Sequence, residues 1–397
     1  MRTESFDAVV IGGGPAGSTA AAGVAGGGFP TLILEKRDRI GFPVRCAEAI
    51  GPASVARRHI EIRRDFVSAA VDGLRIVAPD KTTYDKSMPG AGYIVDRELF
   101  DRRLADIAVE KGAELRTGHQ ATGLIRKDGR VAGVRVRDLA RGEEYEALAR
   151  VVVGADGVES LSPRWASLKG VCSPGEILSC AQELVEGIDV SGRFVEFHLG
   201  RRLAPGGYAW VFPKGPRSAN VGLGINPLES GGMPAVAFLE RFLGERCPGA
   251  VRRRLVVGGS TVAKRLRSLA TDGYVAVGEA ANQNNPLTGG GILESIAASQ
   301  MAASVVRGAL EKGDTSAKSL CRYTKEWDRI YGRTFDRFHR AAGLIYGLPD
   351  PVMNRLLENL GREKGLAGRT GIDPARILGV LLRTSPSLFL KTFRAAF

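Results

Sequence analysis

The sequence predicts an α/β protein in which a nucleotide-binding unit is interrupted by a mainly antiparallel layer and followed by a helical region. A short apolar run at residues 6–11 precedes a glycine-rich turn and an alanine-rich stretch to about Ala25. This is the order of strand, turn and helix that opens a βαβ unit. Between about Cys172 and Val262 the chain changes to alternating stretches typical of an antiparallel sheet. After residue 320 the spacing of apolar residues is helical.

The other elements follow from the same patterns. The apolar run at 31–34 ends at Glu35, and the run at 151–153 enters a glycine turn, so both are expected to be buried parallel strands. Spacing further predicts a helix at 97–111, strands at 131–136, 193–199, 219–225 and 274–277, and a long helix from Ile292 to about Leu310.

The composition is that of an ordinary globular protein. The length of 397 residues predicts two to three domains or one large interrupted domain. Hydrophobic residues make up 44% and charged residues 25%, which argues against a mainly disordered, collagen-like or disulfide-stapled protein. The 52 glycines cluster at 12–14, 26–28 and 289–291, as expected for loops that approach a nucleotide.

Charge and cysteine content bear on partners and location. The net charge of +13 favours an anionic ligand, an acidic protein or a negatively charged membrane surface. Nucleic acid is not expected as a partner, because no recognised nucleic-acid-binding module accompanies the charge. Five scattered cysteines fit a reducing cytosol. The uncharged run at 8–34 contains eight glycines and two prolines, so it is not expected to span a membrane, and Glu4 and Asp7 before it argue against a signal peptide.

A dinucleotide fingerprint lies between the first predicted strand and helix. Gly12, Gly14 and Gly17 have the spacing G-x-G-x-x-G, in which the glycines permit the turn, admit a pyrophosphate and pack the helix on the strand. Glu35 follows 18 residues after Gly17 at a strand end, where a carboxylate can bind a ribose diol. Lys36 and Arg37 could instead bind a 2′-phosphate, but Glu35 would repel that group, so an ADP-ribose group without the extra phosphate is predicted.

Further motifs follow in order: Arg45-Cys46-Ala47-Glu48, Asp96-Arg97-x-x-x-Asp101, Gly154-Ala155-Asp156-Gly157-x-x-Ser160, Tyr208-x-Trp210-x-Phe212-Pro213, and Gly278-Glu279-Ala280-Ala281 through Asn285-Pro286-Leu287-Thr288-Gly289-Gly290-Gly291-Ile292. With these motifs the sequence resembles the flavoprotein monooxygenase superfamily, and specifically its geranylgeranyl reductase branch. The resemblance implies a Rossmann-type FAD-binding domain with an inserted α+β substrate domain, built mainly on an antiparallel sheet, and a helical C-terminal region. The implied bounds are 1–72, 93–170 and 263–320 for the FAD-binding domain, 73–92 and 171–262 for the substrate domain, and 321–397 for the C-terminal domain.

The resemblance also implies which residues hold FAD. They are Gly12, Gly14, Pro15, Ala16, Gly17, Glu35, Lys36, Arg45, Cys46, Ala47, Arg97, Ala155, Asp156, Gly157, Gly278, Glu279, Pro286, Gly289, Gly290, Gly291 and Ile292. The three glycines at 289–291 are expected to present bare backbone N–H groups to the flavin at a helix N-terminus. The family has Asp where this chain has Glu279, so the contact of this carboxylate is expected to be displaced or mediated by water.

The expected catalytic residues are Cys46, Tyr208 and Trp210. Arg45 is expected to favour the thiolate of its neighbour Cys46, which could donate a proton or gate the substrate, or be an inert buried thiol. Tyr208, Trp210 and Phe212 alternate along a strand and so face one side of the sheet. This aromatic wall is interpreted as part of a substrate cavity with Pro213, the alternative being ordinary core. Cys172 and Cys180 are interpreted as structural, and no histidine has a carboxylate at a recognisable spacing, so no metal site is expected.

The expected reaction is the reduction of isolated C=C bonds in an isoprenoid lipid of the geranylgeranyl type, with a proton from Cys46 or water. The substrate is expected to be a membrane lipid precursor, a prenyl diphosphate, a quinone or a pigment side chain. Only one nucleotide fingerprint is present, so the electron donor is expected to visit transiently, either as NAD(P)H or as reduced ferredoxin. Two alternatives stay open: a flavin-dependent aromatic hydroxylase or halogenase, and a non-catalytic FAD-containing protein that binds prenyl lipids.

The C-terminal segment suggests contact with a membrane. Ser385 and Pro386 resemble a helix start that leads into several Leu and Phe residues, with Arg376, Arg383, Lys391 and Arg394 nearby. Such a segment could lie on anionic lipid, or pack on its own domain or on a second subunit. The expected location is cytoplasmic, with peripheral contact to the inner face of the cell membrane.

Overall fold

The computed structural model describes residues 2–170 and 172–362, and beyond these only residues 367–368, 371–372, 379–380 and 383. The strands are β1 Arg2–Ile11, β2 Thr31–Glu35, β3 Ala49–Ile50, β4 Val67–Val77, β5 Thr83–Val95, β6 Ala113–Thr117, β7 His119–Lys127, β8 Arg130–Asp138, β9 Glu144–Gly154, β10 Ile177–Glu186, β11 Phe194–His198, β12 Tyr208–Gly215, β13 Ser218–Ile225, β14 Val251–Thr261, β15 Ala270–Thr271, β16 Tyr274–Ala276, β17 Ala367–Gly368 and β18 Gly371–Ile372. The α-helices are α1 Pro15–Ala25, α2 Ala53–His59, α3 Arg97–Glu110, α4 Ser162–Trp165, α5 Ala235–Arg246, α6 Ile292–Glu311, α7 Ala317–Leu320, α8 Arg322–Trp327, α9 Arg333–Tyr346 and α10 Asp350–Arg362. A π-helical turn occupies Asp328–Gly332.

The first sheet carries the predicted nucleotide-binding unit. Its main order is β15-β16-β9-β1-β2-β6, with β8 paired to β9 and β7 to β8. The pairings among β16, β9, β1, β2 and β6 are parallel. Val9 and Val10 are fully buried in an apolar cluster with residues of α1 and α6, which explains why this strand is a continuous apolar run. β1 begins at Arg2, earlier than its apolar run predicts, because the register with β9 continues as far as Tyr145.

The second sheet confirms the predicted antiparallel layer. Its order is β14-β10-β13-β12-β11-β4-β5-β3, and its pairings are antiparallel except for the parallel pair β11 and β4. Helix α5 covers one face, where Leu239 and Phe242 pack against Val221 and Leu223. The other face carries a separate apolar cluster that includes Trp210 and lines the site described below.

The inferred domain bounds cross two strands of this second sheet. All of β4 and β5 lie in it, whereas the bounds after residue 72 and before residue 93 pass through them. Segments that these bounds assign to different domains therefore belong to the same pair of strands, β4 and β5. These two strands pair with one another rather than with the first sheet. The division into three domains stays a prediction.

The C-terminal region is helical, as predicted, through α10. Leu344, Ile345 and Leu356 pack in one cluster with Leu287, which ties these helices to the loop before α6. In the ranges that the structure describes, no helix has the length and apolar character needed to cross a membrane. The segment at 385–397, for which membrane contact is predicted, lies outside the described residues.

The topology brings three loops to one edge of the first sheet. β1 is followed by Gly12, β9 by Ala155, and β16 by the turn that contains Gly278. Because these strands are parallel, their carboxyl ends meet at the same edge, where ligands bind in open α/β sheets.

Candidate active site

A cavity of about 1320 Å³ opens at this edge and reaches the face of the second sheet that α5 leaves uncovered. Side chains of α9, among them Thr334 and Phe338, also line it. Typical ligand sites have volumes of roughly 300–1,000 Å³, so this cavity has room for more than one small molecule.

Most of the residues predicted from the sequence line this one cavity. From the predicted cofactor set these are Gly12, Gly14, Pro15, Ala16, Glu35, Lys36, Arg45, Cys46, Ala47, Arg97, Ala155, Asp156, Gly157, Glu279, Gly289, Gly290, Gly291 and Ile292. From the predicted substrate wall these are Tyr208, Trp210 and Phe212. The predicted site residues outside the lining are Gly17, Gly278, Pro286 and Pro213.

For three of the residues outside the lining, the structure shows why they lie there. A Cβ on Gly17 would clash with the carbonyl oxygen of Gly12, and a Cβ on Gly278 would lie 2.7 Å from that of Ala16, so both glycines allow close packing behind the lining. Side chains alternate along β12, and Val211 packs in the cluster under α5. Pro213 shares the face of Val211, so the expectation that it lines the cavity is corrected.

The turn between β1 and α1 has the geometry of an anion site. Gly12 has a φ of +103°, which a residue with a side chain rarely adopts, and a Cβ there would clash with the carbonyl oxygen of Ala155. A Cβ on Gly14 would meet no atom within 4 Å, so this backbone faces open space. No side chain caps α1 and its first turn holds no acidic residue. Its N–H groups are therefore available to a phosphate group, and the turn fits the pyrophosphate of FAD.

Glu35 is fixed at the end of β2 by two backbone donors. The N–H of Gly13 donates to Oε2 and the N–H of Arg37 donates to Oε1, each at 2.9 Å. Each carboxylate oxygen keeps a further lone pair for a hydroxyl group. This geometry fits the predicted contact with a ribose diol.

Two polar residues predicted to contact the cofactor are each held by neighbours. Asp156 accepts hydrogen bonds from the backbone N–H groups of Leu161 and Ser162 at 2.9 and 3.0 Å, which fixes the loop after β9. Arg97 donates two parallel hydrogen bonds to Asp101 at 2.6 and 2.7 Å. The i,i+4 spacing on α3 makes that bidentate pair possible.

The glycine loop before α6 is less open than predicted. The N–H of Gly289 donates to the carbonyl of Asn285 at 2.8 Å, and the N–H of Gly290 donates to Thr288 Oγ1 at 3.3 Å. The N–H of Gly291 has no acceptor among the residues that the structure describes. The loop thus closes on itself. Among the described residues, the backbone N–H groups that stay available at this end of the cavity are those of Gly291 and the first turn of α6.

Glu279 is turned toward the second sheet, as its extra methylene suggests. Its Oε1 accepts a hydrogen bond from the backbone N–H of Thr261 at 2.8 Å. Burial raises the pKa of this carboxyl, against the opposing effect of the hydrogen bond from Thr261. Asn282 adopts a φ of +53° and bonds to Cys172 and to the carbonyl of Lys264, so it closes the turn that begins at Gly278.

The surroundings of Cys46 differ from the expectation that Arg45 favours its thiolate. Arg45 donates to Glu159 at 2.6 Å, and Lys36 and Arg45 together lower the pKa of Glu159 to about 2. Burial raises the pKa of the Cys46 thiol, and the charge of Arg97 only opposes this effect. The thiol is therefore protonated at neutral pH.

The loop that carries Cys46 is anchored by the buried carboxylate of Glu48, the last residue of its motif, for which no role was predicted from the sequence. Glu48 is 5% exposed and has a φ of +72°. Its carboxylate pairs with Lys214 at 3.0 Å, accepts from the N–H of Arg97 at 3.0 Å, and accepts from Asn220. Left-handed backbone in a residue with a side chain persists only where its surroundings hold it, and these three contacts do so.

The aromatic wall is present on β12. The rings of Tyr208 and Trp210 lie 5.9 Å apart, and those of Trp210 and Phe212 lie 6.5 Å apart. The Tyr208 hydroxyl donates to the carbonyl of Thr288, and Tyr346 on α9 stacks on Tyr208 at 6.0 Å. Burial raises the pKa of Tyr208 well above its usual range. Cys180, interpreted as structural, also lines the cavity, where burial raises its pKa to about 12.

Glu294, in the first turn of α6, is a further titratable group of the lining that the motifs did not indicate. Burial raises its pKa from 4.5 to about 7. The hydrogen bonds and ion pairs of the described residues include no side-chain partner for its carboxylate. Tyr331, on the π-helical turn, is close enough for the charge of Glu294 to raise its pKa.

We expect Glu294→Gln to stabilise the FAD-loaded protein at pH 8 and to have no such effect near pH 4.5. A carboxyl whose pKa is raised by folding binds its proton more tightly in the folded state, so wild-type stability falls as pH rises from about 4.5 to about 7 and then levels. At about 1.36 kcal/mol per pKa unit, the gain at pH 8 is at most about 3–4 kcal/mol. Chemical denaturation at both pH values checks this, with exposed Glu311→Gln on the same helix as control. A difference between variant and wild type that is the same at both pH values would contradict the prediction.

Two histidines lie within ion-pair distance of a carboxylate, contrary to the sequence prediction, and in the first pair His119 Nε2 lies 4.0 Å from Asp138 Oδ2. His198 Nε2 lies 3.0 Å from Oε2 of buried Glu196, and Arg246 pairs with the same carboxylate at 3.1 Å. His198 and Glu196 are separated by one position on β11, so their side chains share a face. Burial lowers the pKa of His198. This group lines a separate cavity under the second sheet, away from the aromatic wall.

Family models and relatives agree on the relationship of this chain. A model described as geranylgeranyl reductase catalytic domain matches residues 176–262, and one described as FAD dependent oxidoreductase matches residues 7–158. The digeranylgeranylglycerophospholipid reductase of Methanocella arvoryzae is 38% identical over 358 residues, or 89% of this chain and 90% of that protein. That of Methanothrix thermoacetophila is 39% identical over 388 residues, or 96% of this chain and 97% of that protein.

Solved structures show the same fold. A geranylgeranyl bacteriochlorophyll reductase-like protein from Thermoplasma acidophilum is 32% identical, has a TM-score of 0.90, and is matched over 100% of both chains. A flavin-dependent brominase has a TM-score of 0.73 over 98% of this chain and 99% of its own, but at 17% identity this likeness concerns the fold alone. The relatives, the two family models and the FAD-compatible turn lead to one conclusion: the chain belongs to the geranylgeranyl reductase family of FAD-dependent oxidoreductases.

Proposed function

We propose that this oxidoreductase saturates C=C bonds in the geranylgeranyl chains of a digeranylgeranylglycerophospholipid. The observation that carries the proposal is that one cavity contains both a glycine-rich anion cradle and a wall of aromatic side chains. The names of the relatives support the choice of lipid. Such a cavity can hold a nucleotide cofactor and an apolar tail at the same time.

The aromatic wall would bind the hydrocarbon. At about 0.8 kcal/mol per buried carbon, each five-carbon unit contributes on the order of 4 kcal/mol, so an isoprenoid tail can hold itself in the cavity. The hydroxyl of Tyr208 is engaged by Thr288 and the indole N–H of Trp210 by Gln182, so the wall presents mainly ring carbon to the tail. We propose that Tyr208, Trp210 and Phe212 orient the double bond.

Cofactor binding would fall to the residues at the edge of the first sheet. The first turn of α1 would hold the pyrophosphate, Glu35 the ribose diol, and Gly291 with α6 the pyrimidine end of the flavin. FAD, when bound, supplies the two electrons of the reduction.

We propose Cys46 as the source of the proton. Its burial keeps the thiol protonated, and the anchored loop holds it at the cavity wall. A thiol is a weak acid toward an isolated alkene, so orientation and exclusion of water must lower the barrier. Ala47, the next residue in this loop, packs against the buried cluster of Trp210 and Phe212, which would exclude water there.

The proposals for the electron donor and for the location of the protein rest on its positive charge. With one nucleotide fingerprint in the sequence and a net charge of +13, NAD(P)H or a reduced, acidic ferredoxin would visit the cavity transiently. The basic, Leu- and Phe-bearing C-terminal segment would contact the inner face of the cell membrane, where the lipid substrate resides.

The test is to incubate the FAD-loaded protein with this lipid and a chemical reductant, with and without oxygen. The molecular mass of the product is then determined by mass spectrometry. We expect the lipid to gain hydrogen pairs in both conditions. Products that contain added oxygen or halogen and require oxygen would support a hydroxylase or halogenase instead. Bound lipid that never changes mass would support a binding protein.

A further inference from the structure

Gln182 joins the aromatic wall to the loop of Cys46. It lies on β10 and is 7% exposed. Its Oε1 accepts a hydrogen bond from Trp210 Nε1 at 3.0 Å, and its Nε2 donates to the carbonyl oxygen of Cys46 at 3.0 Å. The indole N–H can only donate, so the orientation of the amide is fixed by its partners. One side chain thus satisfies a buried donor of the wall and a carbonyl of the loop.

The sheet is shaped to allow this bridge. Gly222 on β13 lies in register with Gln182 on one side and with Trp210 on the other. A Cβ on Gly222 would lie 2.5 Å from the indole ring, so only glycine lets the ring lie across this strand. The indole therefore passes over β13 and reaches the amide two strands away.

An apolar side chain of similar volume at position 182 would leave two polar groups without their partners. The indole N–H of Trp210 and the carbonyl of Cys46 would both face a largely apolar cavity, which is unfavourable for each. Two residues further along the chain, Glu48 would still be held by Lys214 and Asn220. Loss of the Gln182 bridge would therefore loosen the backbone at Cys46 selectively.

We propose that Gln182 is a positioning residue that fixes the backbone of Cys46 relative to Trp210, with Gly222 providing the space for the bridge. The inference rests on the proposed function only where it concerns turnover. The position of the thiol is a separate property that can be measured without the lipid.

The experiment compares Gln182→Met with the wild type in the FAD-loaded state. The rate at which a small maleimide alkylates Cys46 is read by peptide mass spectrometry, with Cys321 in the same digest as the internal reference. We expect alkylation of Cys46 to rise about tenfold as the loop opens more often. Turnover of the lipid is expected to fall about 10- to 100-fold in kcat, with little change in KM, because the tail still binds while the thiol is misplaced.

Two variants act as comparisons. Gln300→Met, an exposed glutamine that bonds to His59, should behave as wild type in both measurements. Trp210→Phe removes the indole donor together with one ring of the side chain and leaves the amide free to bond to Cys46, so its effect on alkylation should be smaller than that of Gln182→Met. It also provides the test if Gln182→Met does not fold: unchanged alkylation and kcat in Trp210→Phe would then overturn the proposal.

The two ideas fail in different ways. Unchanged Cys46 alkylation in folded Gln182→Met overturns the positioning role, whatever the substrate. Altered alkylation in a protein whose wild type never reduces the lipid supports the positioning role and overturns the proposed function.

Discussion

Replacing Cys46 with alanine is expected to reduce lipid turnover by about 10²- to 10⁴-fold, the range in which a positioned proton donor contributes to catalysis. Cys46→Ser should lose nearly as much, because a hydroxyl is a weaker acid than a thiol. FAD content should stay near that of the wild type, since the cradle at the edge of the first sheet is separate from the thiol group. The measurement is steady-state reduction of the lipid by each variant, with bound flavin determined by absorbance.

The pH dependence provides a second reading of the same prediction. The proton must be present on Cys46, so activity is expected to fall as pH rises through the thiol pKa. Burial raises that pKa, so the decline should begin above the ordinary thiol range and be absent from the residual activity of Cys46→Ala. Cys321→Ala, at the junction of α7 and α8, is the matched control. Full turnover in Cys46→Ala would show that the thiol only packs, and water would then be the remaining donor.

Gly17→Ala is expected to yield protein without FAD. A Cβ there would clash with the carbonyl oxygen of Gly12, so α1 must move away from the turn that cradles the pyrophosphate. Steric strain of this kind in a packed interior costs about 1–3 kcal/mol or more. The measurement is flavin content after purification, together with the affinity for added FAD.

A second glycine separates folding from binding. Gly14→Ala meets no protein atom within 4 Å, so the protein without FAD should be as stable as the wild type, while FAD affinity falls because the methyl group fills the space of the ligand. Gly192→Ala, in the loop before β11 and also without a neighbour within 4 Å, is the control for both properties. Normal FAD binding in both Gly17→Ala and Gly14→Ala would place the cofactor elsewhere.

The nucleotide-binding part of the site could be predicted from sequence because its requirements are local. A tight turn that approaches a phosphate needs glycine at positions 12 and 14. A carboxylate that binds a ribose needs to stand at a strand end, and Glu35 does so at the end of β2. The alternation of Tyr208, Trp210 and Phe212 likewise fixes a common face wherever the strand lies.

The surroundings of Cys46 could not be predicted, because they come from distant parts of the chain. Arg45 is next to the thiol in sequence, yet its guanidinium pairs with Glu159, 114 positions away. The raised pKa results from burial under the second sheet, and the anchor of the loop is a buried carboxylate that meets Lys214. Neither contact leaves a periodic or spaced signal in the sequence.

The position of β4 and β5 in the second sheet could not be predicted for a related reason. β4 and β5 lie early in the chain, but they complete a sheet whose other strands are mostly more than 100 residues later. The parallel pairing of β4 with β11 joins these strands to the later ones, and pairing partners are not encoded in the pattern of one strand. The glycine loop before α6 shows the same limit, since Gly289 and Gly290 find acceptors within their own turn.

The most direct test of the account is a single anaerobic turnover. The FAD-loaded protein is reduced chemically, excess reductant is removed, and the digeranylgeranylglycerophospholipid is added without oxygen while the flavin absorbance is followed. The account predicts that the yellow colour returns and that the lipid gains one pair of hydrogen atoms for each flavin reoxidised. Flavin that stays reduced with bound lipid, and becomes yellow only when oxygen is admitted, would contradict it.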